Sequence, residues 1–330
     1  MHLESHFLIY DFYQIYFPFP IYRNAFVWEY QSKDNTWKPT LVILRVERAV
    51  LDVKWSNDGL RFAATSGAKC VAVCTYESQN DWWVSKIIRK KFKSTVLCCA
   101  FHPSNGQLLA TGSSDFKCRI FSTFASEVDA SVNAGPFNIP VEFGEAYCEM
   151  STSGWVNAVA WTPSGNTLVY TGHNSFIHFA TFTGGTPNVQ SIRLSGLPYC
   201  GLLALSEKAV MAVGHEYNPS IFTHTGSSWG LFGNLEKKGE TAKTEATGGV
   251  AAARALFQNK ASRGQEADTG DAIWTQHENV VTCISSCSPV DSSSISKVST
   301  SALDGRIVLW DIPKISSTTN VAMTLSSLGL

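Results

Sequence analysis

The chain has 330 residues, 44% of them hydrophobic and 16% charged, with 26 basic against 27 acidic side chains and a formal net charge of −1. That length holds one large domain or two small ones around a sizeable core, and so balanced a charge excludes binding driven by global attraction to nucleic acid or an acidic membrane. The nine cysteines are an odd number without tight spacing, which argues against a secreted disulfide framework and for a reducing compartment.

Residues 1–22, MHLESHFLIYDFYQIYFPFPIY, are dense in aromatics, lack a basic start, and carry Glu4, Asp11, Pro18 and Pro20. That fits neither a secretory signal nor a membrane helix; a strand pair filling a gap in a sheet is the plain expectation. Residues 49–77 then form a complete unit: an apolar run ending on Trp55, a Ser56-Asn57-Asp58-Gly59 turn, a second run into Thr65-Ser66-Gly67, and a third run. Its outer edge carries Trp82-Trp83 and the basic residues Lys86, Arg89, Lys90, Lys91 and Lys93. Basic side chains beside aromatics suit phosphate backbones, but an isolated run on a neutral chain is more simply a solvated strand or a contact for an acidic protein surface. No nucleic-acid partner is expected.

The same order returns at residues 94–122, with runs at 96–101, 108–111 and 118–121. The turns between them, His102-Pro103-Ser104-Asn105-Gly106 and Gly112-Ser113-Ser114-Asp115, use residues that preset or tolerate turn dihedrals. Residues 124–153 are a long connection in which Phe137, Ile139, Val141 and Phe143 alternate as an edge strand could. The unit recurs at 154–182, more weakly at 198–226, and in stretched form at 278–312. Short strands at this spacing predict an all-β chain of repeated sheets.

Residues 227–277 interrupt the array and are rich in Gly, Ala, Thr, Lys and Glu, too polar to offset their ordering entropy. Within them, residues 250–260 (VAAARALFQNK) predict a helix that puts Val250, Ala253 and Phe257 on one face, with Leu256 beside them. So short a helix is marginal alone; its apolar face docks on the chain's own sheets or on a partner. Residues 313–330 form a Ser/Thr-rich tail.

Two catalytic signatures are missing from the sequence: it holds no Gly-rich phosphate loop and no Cys-x-x-Cys pair. Cys70 with Cys74, and Cys283 with Cys287, have a spacing that half-buried strand packing explains as well as a metal site does. Of the candidate ligands His173, His178, His215 and His224, the first and third occupy the same repeat position, which points to a turn role. No enzyme, cofactor or metal is expected.

The units, above all residues 304–311 (DGRIVLWD), resemble the WD-repeat family, whose four-stranded sheets are the blades of a β-propeller. Residues 36–45 (TWKPTLVILR), 80–84 (NDWWV), 113–122 (SSDFKCRIFS) and 153–156 (SGWV) are similar, more specifically, to the WD-repeat subunit family of the actin-related protein 2/3 complex. The similarity runs from about residue 23 to 182, then more loosely to 312. It implies a propeller over 23–312 with the insertion 227–277, flanked by an atypical segment 1–22 and the tail 313–330. Five complete blade repeats and a fragment are visible against the family's seven, so the resemblance also implies an N-terminus that is truncated or replaced.

Functionally, the resemblance implies a non-catalytic scaffold in the cytoplasmic actin cytoskeleton that supports nucleation of branched filaments. Its partners would be actin-related proteins and other subunits of the complex, the actin filament, and nucleation-promoting factors, with no membrane insertion. The insertion helix would contact actin, with Leu256 and Phe257 as apolar anchors and Arg254 as a polar contact on the rim. A generic WD-repeat adaptor, such as a ubiquitin-ligase substrate receptor, is the alternative.

Overall fold

The computed structural model describes residues 7–10, 24–137, 141–236, 275–287 and 295–312. They form six antiparallel sheets. The first has β1 (Phe7–Tyr10), β2 (Asn24–Gln31) and β3 (Thr36–Ile43); the second has β4 (Val50–Trp55), β5 (Arg61–Ser66), β6 (Cys70–Glu77) and β7 (Trp82–Ile88). The third has β8 (Val96–His102), β9 (Asn105–Ser113), β10 (Lys117–Ser122) and β11 (Ala146–Ser151). The fourth has β12 (Val156–Trp161), β13 (Thr167–Gly172), β14 (Phe176–Thr181) and β15 (Asn188–Arg193). The fifth has β16 (Tyr199–Ser206), β17 (Ala209–Gly214), β18 (Ser220–His224) and β19 (Trp229–Asn234), and the last has β20 (Val281–Ser286), β21 (Lys297–Ala302) and β22 (Ile307–Asp311).

The first strands β4, β8, β12, β16 and β20 adjoin one another in succession, so five blades fan out from a common axis as in a propeller. The three-stranded fragment β1–β3 packs on the first of them. Five apolar cores join the sheets in chain order, for example Leu108, Ile120 and Met150 against Trp161, Leu168 and Tyr170. Packing on both faces explains why β5, β13 and β17 are buried along their whole length and why β5 has Ala63 and Ala64 at its centre. Among the described residues no core joins the first sheet to the last.

The repeat is exact in backbone detail. In every blade the amide that follows the second strand donates to the carbonyl before the first strand: Gly67 to Ala49, Ser114 to Thr95, His173 to Trp155, His215 to Pro198 and Leu303 to Val280. Each first strand then bulges after its first residue. Two residues beyond each donating amide stands a left-handed residue, Lys69, Phe116, Ser175, Tyr217 or Gly305, at φ of 58°, 68°, 58°, 63° and 78°. Four of these five are not glycine, so the shared hairpin imposes the conformation.

One expectation changes. The edge strand anticipated at 137–143 forms instead as β11, because Phe137 turns inward to stack on Tyr147. Of the strand pair anticipated in residues 1–22, β1 is described, pairing Phe7 with Glu29 through Tyr10 with Phe26. The first residues of 227–277 belong to β19; the predicted helix at 250–260 lies outside the described residues.

Candidate functional site

The outer margin of the second and third sheets carries the basic run. Lys86 lies on β7 opposite Val73, and its Nζ donates to both carboxylate oxygens of Glu127 at 2.8 Å while sitting 5.9 Å over the Phe143 ring. Lys90 Nζ lies 3.8 Å from Glu145, and the Lys93 amide donates to Asp115 Oδ2 at 3.0 Å. The Lys86 hydrogen bond holds the Glu127 carboxyl below its usual range. The Arg89 guanidinium is near enough to Cys70 to oppose the burial that pushes that thiol up. Exposed pairs such as these contribute about 0–1 kcal/mol each; they orient the 123–145 connection and leave a margin of mixed charge. Lys91 is exposed beside them.

Deeper in the same sheets are charges that sequence reasoning missed. Arg61, 1% exposed, grips Asp129 through both terminal nitrogens and donates to the Thr123 carbonyl at 3.0 Å. Arg119, equally buried, binds Asp115 at 2.9 Å and Glu149 at 2.7 Å, with its guanidinium 5.5 Å over Phe92. Removing Asp129 would leave Arg61 an uncompensated ion inside, whereas Arg119 is held by two carboxylates.

The last blade solves the same position differently. His277 is fully buried, its Nδ1 3.2 Å from Asp304 and its Nε2 2.7 Å from Thr300 Oγ1, which also accepts from the Trp310 indole at 2.7 Å. Asp304 accepts from the Glu278 amide as Asp115 does from the Lys93 amide. Phe92 against Phe121, 5.1 Å apart, occupies in the third sheet the places of His277 and Trp310. Registering the blades on Asp115 and Asp304 would have identified His277, three residues ahead of the first strand's opening carbonyl.

The other anticipated groups are dispersed. Cys70 and Cys74 are buried on β6, and burial pushes the Cys74 thiol up to about 12; Cys283 and Cys287 are exposed. His173 stacks on Trp155, and His215 Nε2 lies 3.4 Å from Cys200 Sγ, a thiol that burial raises. His224 lies against Trp229. Among the described residues no group of three His, Cys, Asp or Glu side chains is placed to hold a metal ion. Arg254, Leu256 and Phe257 lie outside the described residues.

A family model described as WD domain, G-beta repeat, matches residues 86–122. The chain is 40% identical to actin-related protein 2/3 complex subunit 1A of Arabidopsis thaliana over 294 residues, covering 88% of this chain and 77% of that protein. It is 37% identical to subunit 1A-B of Xenopus laevis, covering 89% and 78%, and 33% identical to subunit 1 of Schizosaccharomyces pombe, covering 88% and 80%. The solved structure of U3-55K superposes with a TM-score of 0.55 at 13% identity, covering 82% of this chain and 63% of that one, a likeness of fold alone.

Proposed function

The chain belongs to the family of actin-related protein 2/3 complex subunit 1, and on that premise we propose that it is a WD-repeat scaffold within such a complex, non-enzymatic itself. The observation that carries this reading is the reach of the similarity, 88% of the chain at 40% identity, which takes in the blades together with the connections between them. Propeller frames suit the role because their hydrogen bonds are satisfied within each blade while outer strands and insertions vary. The actin-related proteins and the other subunits are the partners. The complex acts at the actin cytoskeleton of the cytoplasm, where nucleation-promoting factors and the filament itself engage it.

The insertion helix at 250–260 makes the filament contact in this reading, with Leu256 and Phe257 as anchors and Arg254 at the rim. Anchors of this kind dominate an interface through the area they desolvate. A C-terminally tagged chain isolated from its own cells should recover two actin-related proteins and further subunits at comparable abundance. The complex carrying Leu256→Ala with Phe257→Ala should keep its subunits and lose most branch formation in a filament assembly assay. A different stable set of partners would replace the assignment with the adaptor reading, and undiminished branching would remove the helix from the contact.

A further inference from the structure

The outer strands β11 and β15 are each the last strand of their sheet. Between them opens a cleft of about 300 Å³, lined by Met150, Tyr170, His178, Pro187, Val189 and Ser191 among others. His178 is 8% exposed and held firmly: its ring stacks on Tyr170 with centroids 4.7 Å apart and on Phe176 at 5.9 Å, and its Nδ1 lies 2.7 Å from Ser191 Oγ. Its other nitrogen, Nε2, is buried without a hydrogen-bond partner. A buried polar atom left in this state costs the desolvation of that atom with nothing in return. Burial also lowers the imidazole pKa to about 4, so the ring is neutral and Nε2 carries either one N–H or one lone pair.

A peptide group satisfies either form, because it offers an N–H and a carbonyl side by side. Edge strands on both flanks favour the same ligand, since an extended chain pairs along them through its main chain. Met150, Pro187 and Val189 supply the apolar surface that one of its side chains would cover. We propose that this cleft receives an extended polypeptide segment of a neighbouring subunit, with an apolar side chain seated between Met150 and Val189 and a peptide group at His178 Nε2. The proposal rests on the assembly reading above and adds to it the blade pair that receives a partner.

The test uses the intact complex purified through the tagged chain, with the photoreactive residue benzoyl-phenylalanine placed at Val189 and, in a parallel preparation, at Asn35 on the β2–β3 hairpin. Illumination should join position 189 to one contiguous segment of another subunit, mapped by mass spectrometry. His178→Phe keeps the stacked ring and removes both nitrogens; it should lower that cross-link at least tenfold while the free chain melts at or above the wild-type temperature. A complex that recovers its subunits but shows no cross-link at 189, or shows one to a second copy of this chain, overturns the cleft and leaves the assembly reading standing. A cross-link undiminished by His178→Phe overturns the role of Nε2. Failure to recover any subunit removes the assembly reading, and the cleft assignment falls with it.

Discussion

At neutral pH the His178 imidazole carries no charge, because burial lowers its pKa to about 4. The groups packed around it do not reverse this. Glu149 on β11 already binds Lys117 and Arg119, Tyr170 on β13 is a phenol that burial pushes up, and Ser191 on β15 is neutral. In the unfolded chain the same ring titrates near 6.5, so between about pH 6.5 and 4 the unfolded state binds the extra proton. Stability from this group is therefore complete above pH 6.5 and falls as the pH drops through that window. At about 1.4 kcal/mol per pH unit, wild type should lose about 2 kcal/mol from this residue between pH 7 and pH 5. Urea unfolding at the two pH values should show His178→Phe losing correspondingly less; parallel losses would refute the buried neutral ring. At this scale His173 and His215 were legible as structural residues because the repeat placed both at one position. The Arg61–Asp129 pair was not, since its partners stand 68 residues apart and only blade packing brings them together.

Each blade is built from one local program. A turn residue closes the first hairpin, a bulge re-aims the first strand, and a left-handed residue tightens the second hairpin. Gly112, at the end of β9, shows how closely such elements pack: a Cβ there would meet Cys98 Sγ at 2.5 Å, Val156 Cγ1 at 2.6 Å and the Val156 carbonyl oxygen at 3.0 Å. Gly112→Ala must push the third and fourth sheets apart and should cost about 1–3 kcal/mol. Gly230→Ala, with nothing within 4 Å of the added atom, should stay within about 0.5 kcal/mol of wild type. Thermal melts of the two variants check this contrast, and equal melting points would refute it. Inner and central strands were readable because their apolar runs are continuous and bounded by turns. Outer strands were harder: β15 reads NVQSIR and β11 reads AYCEMS, and one solvated face removes the clear pattern, which is how the edge strand came to be expected at 137–143.

Across the molecule, five cores hold six sheets in a row, and the two end sheets turn apolar faces to solvent. On the first, Phe26, Leu41 and Ile43 are exposed; on the last, Ile307 and Leu309 are three-quarters exposed on one side of β22 while Trp310 is buried on the other. Exposed apolar faces of sheets are association sites. The isolated chain should therefore self-associate, and Ile307→Lys with Leu309→Lys should lower the average particle size in light scattering at equal concentration. An unchanged size would show that this face is not the sticky one. By itself the sequence determined the β-repeat, the turn positions and the family, since these depend on residues within about ten positions of one another. Tertiary structure alone decided which charges are buried together, where the outer strands fall, and that His178 faces a cleft between two blades, because each requires segments from different units to meet across a packed interface.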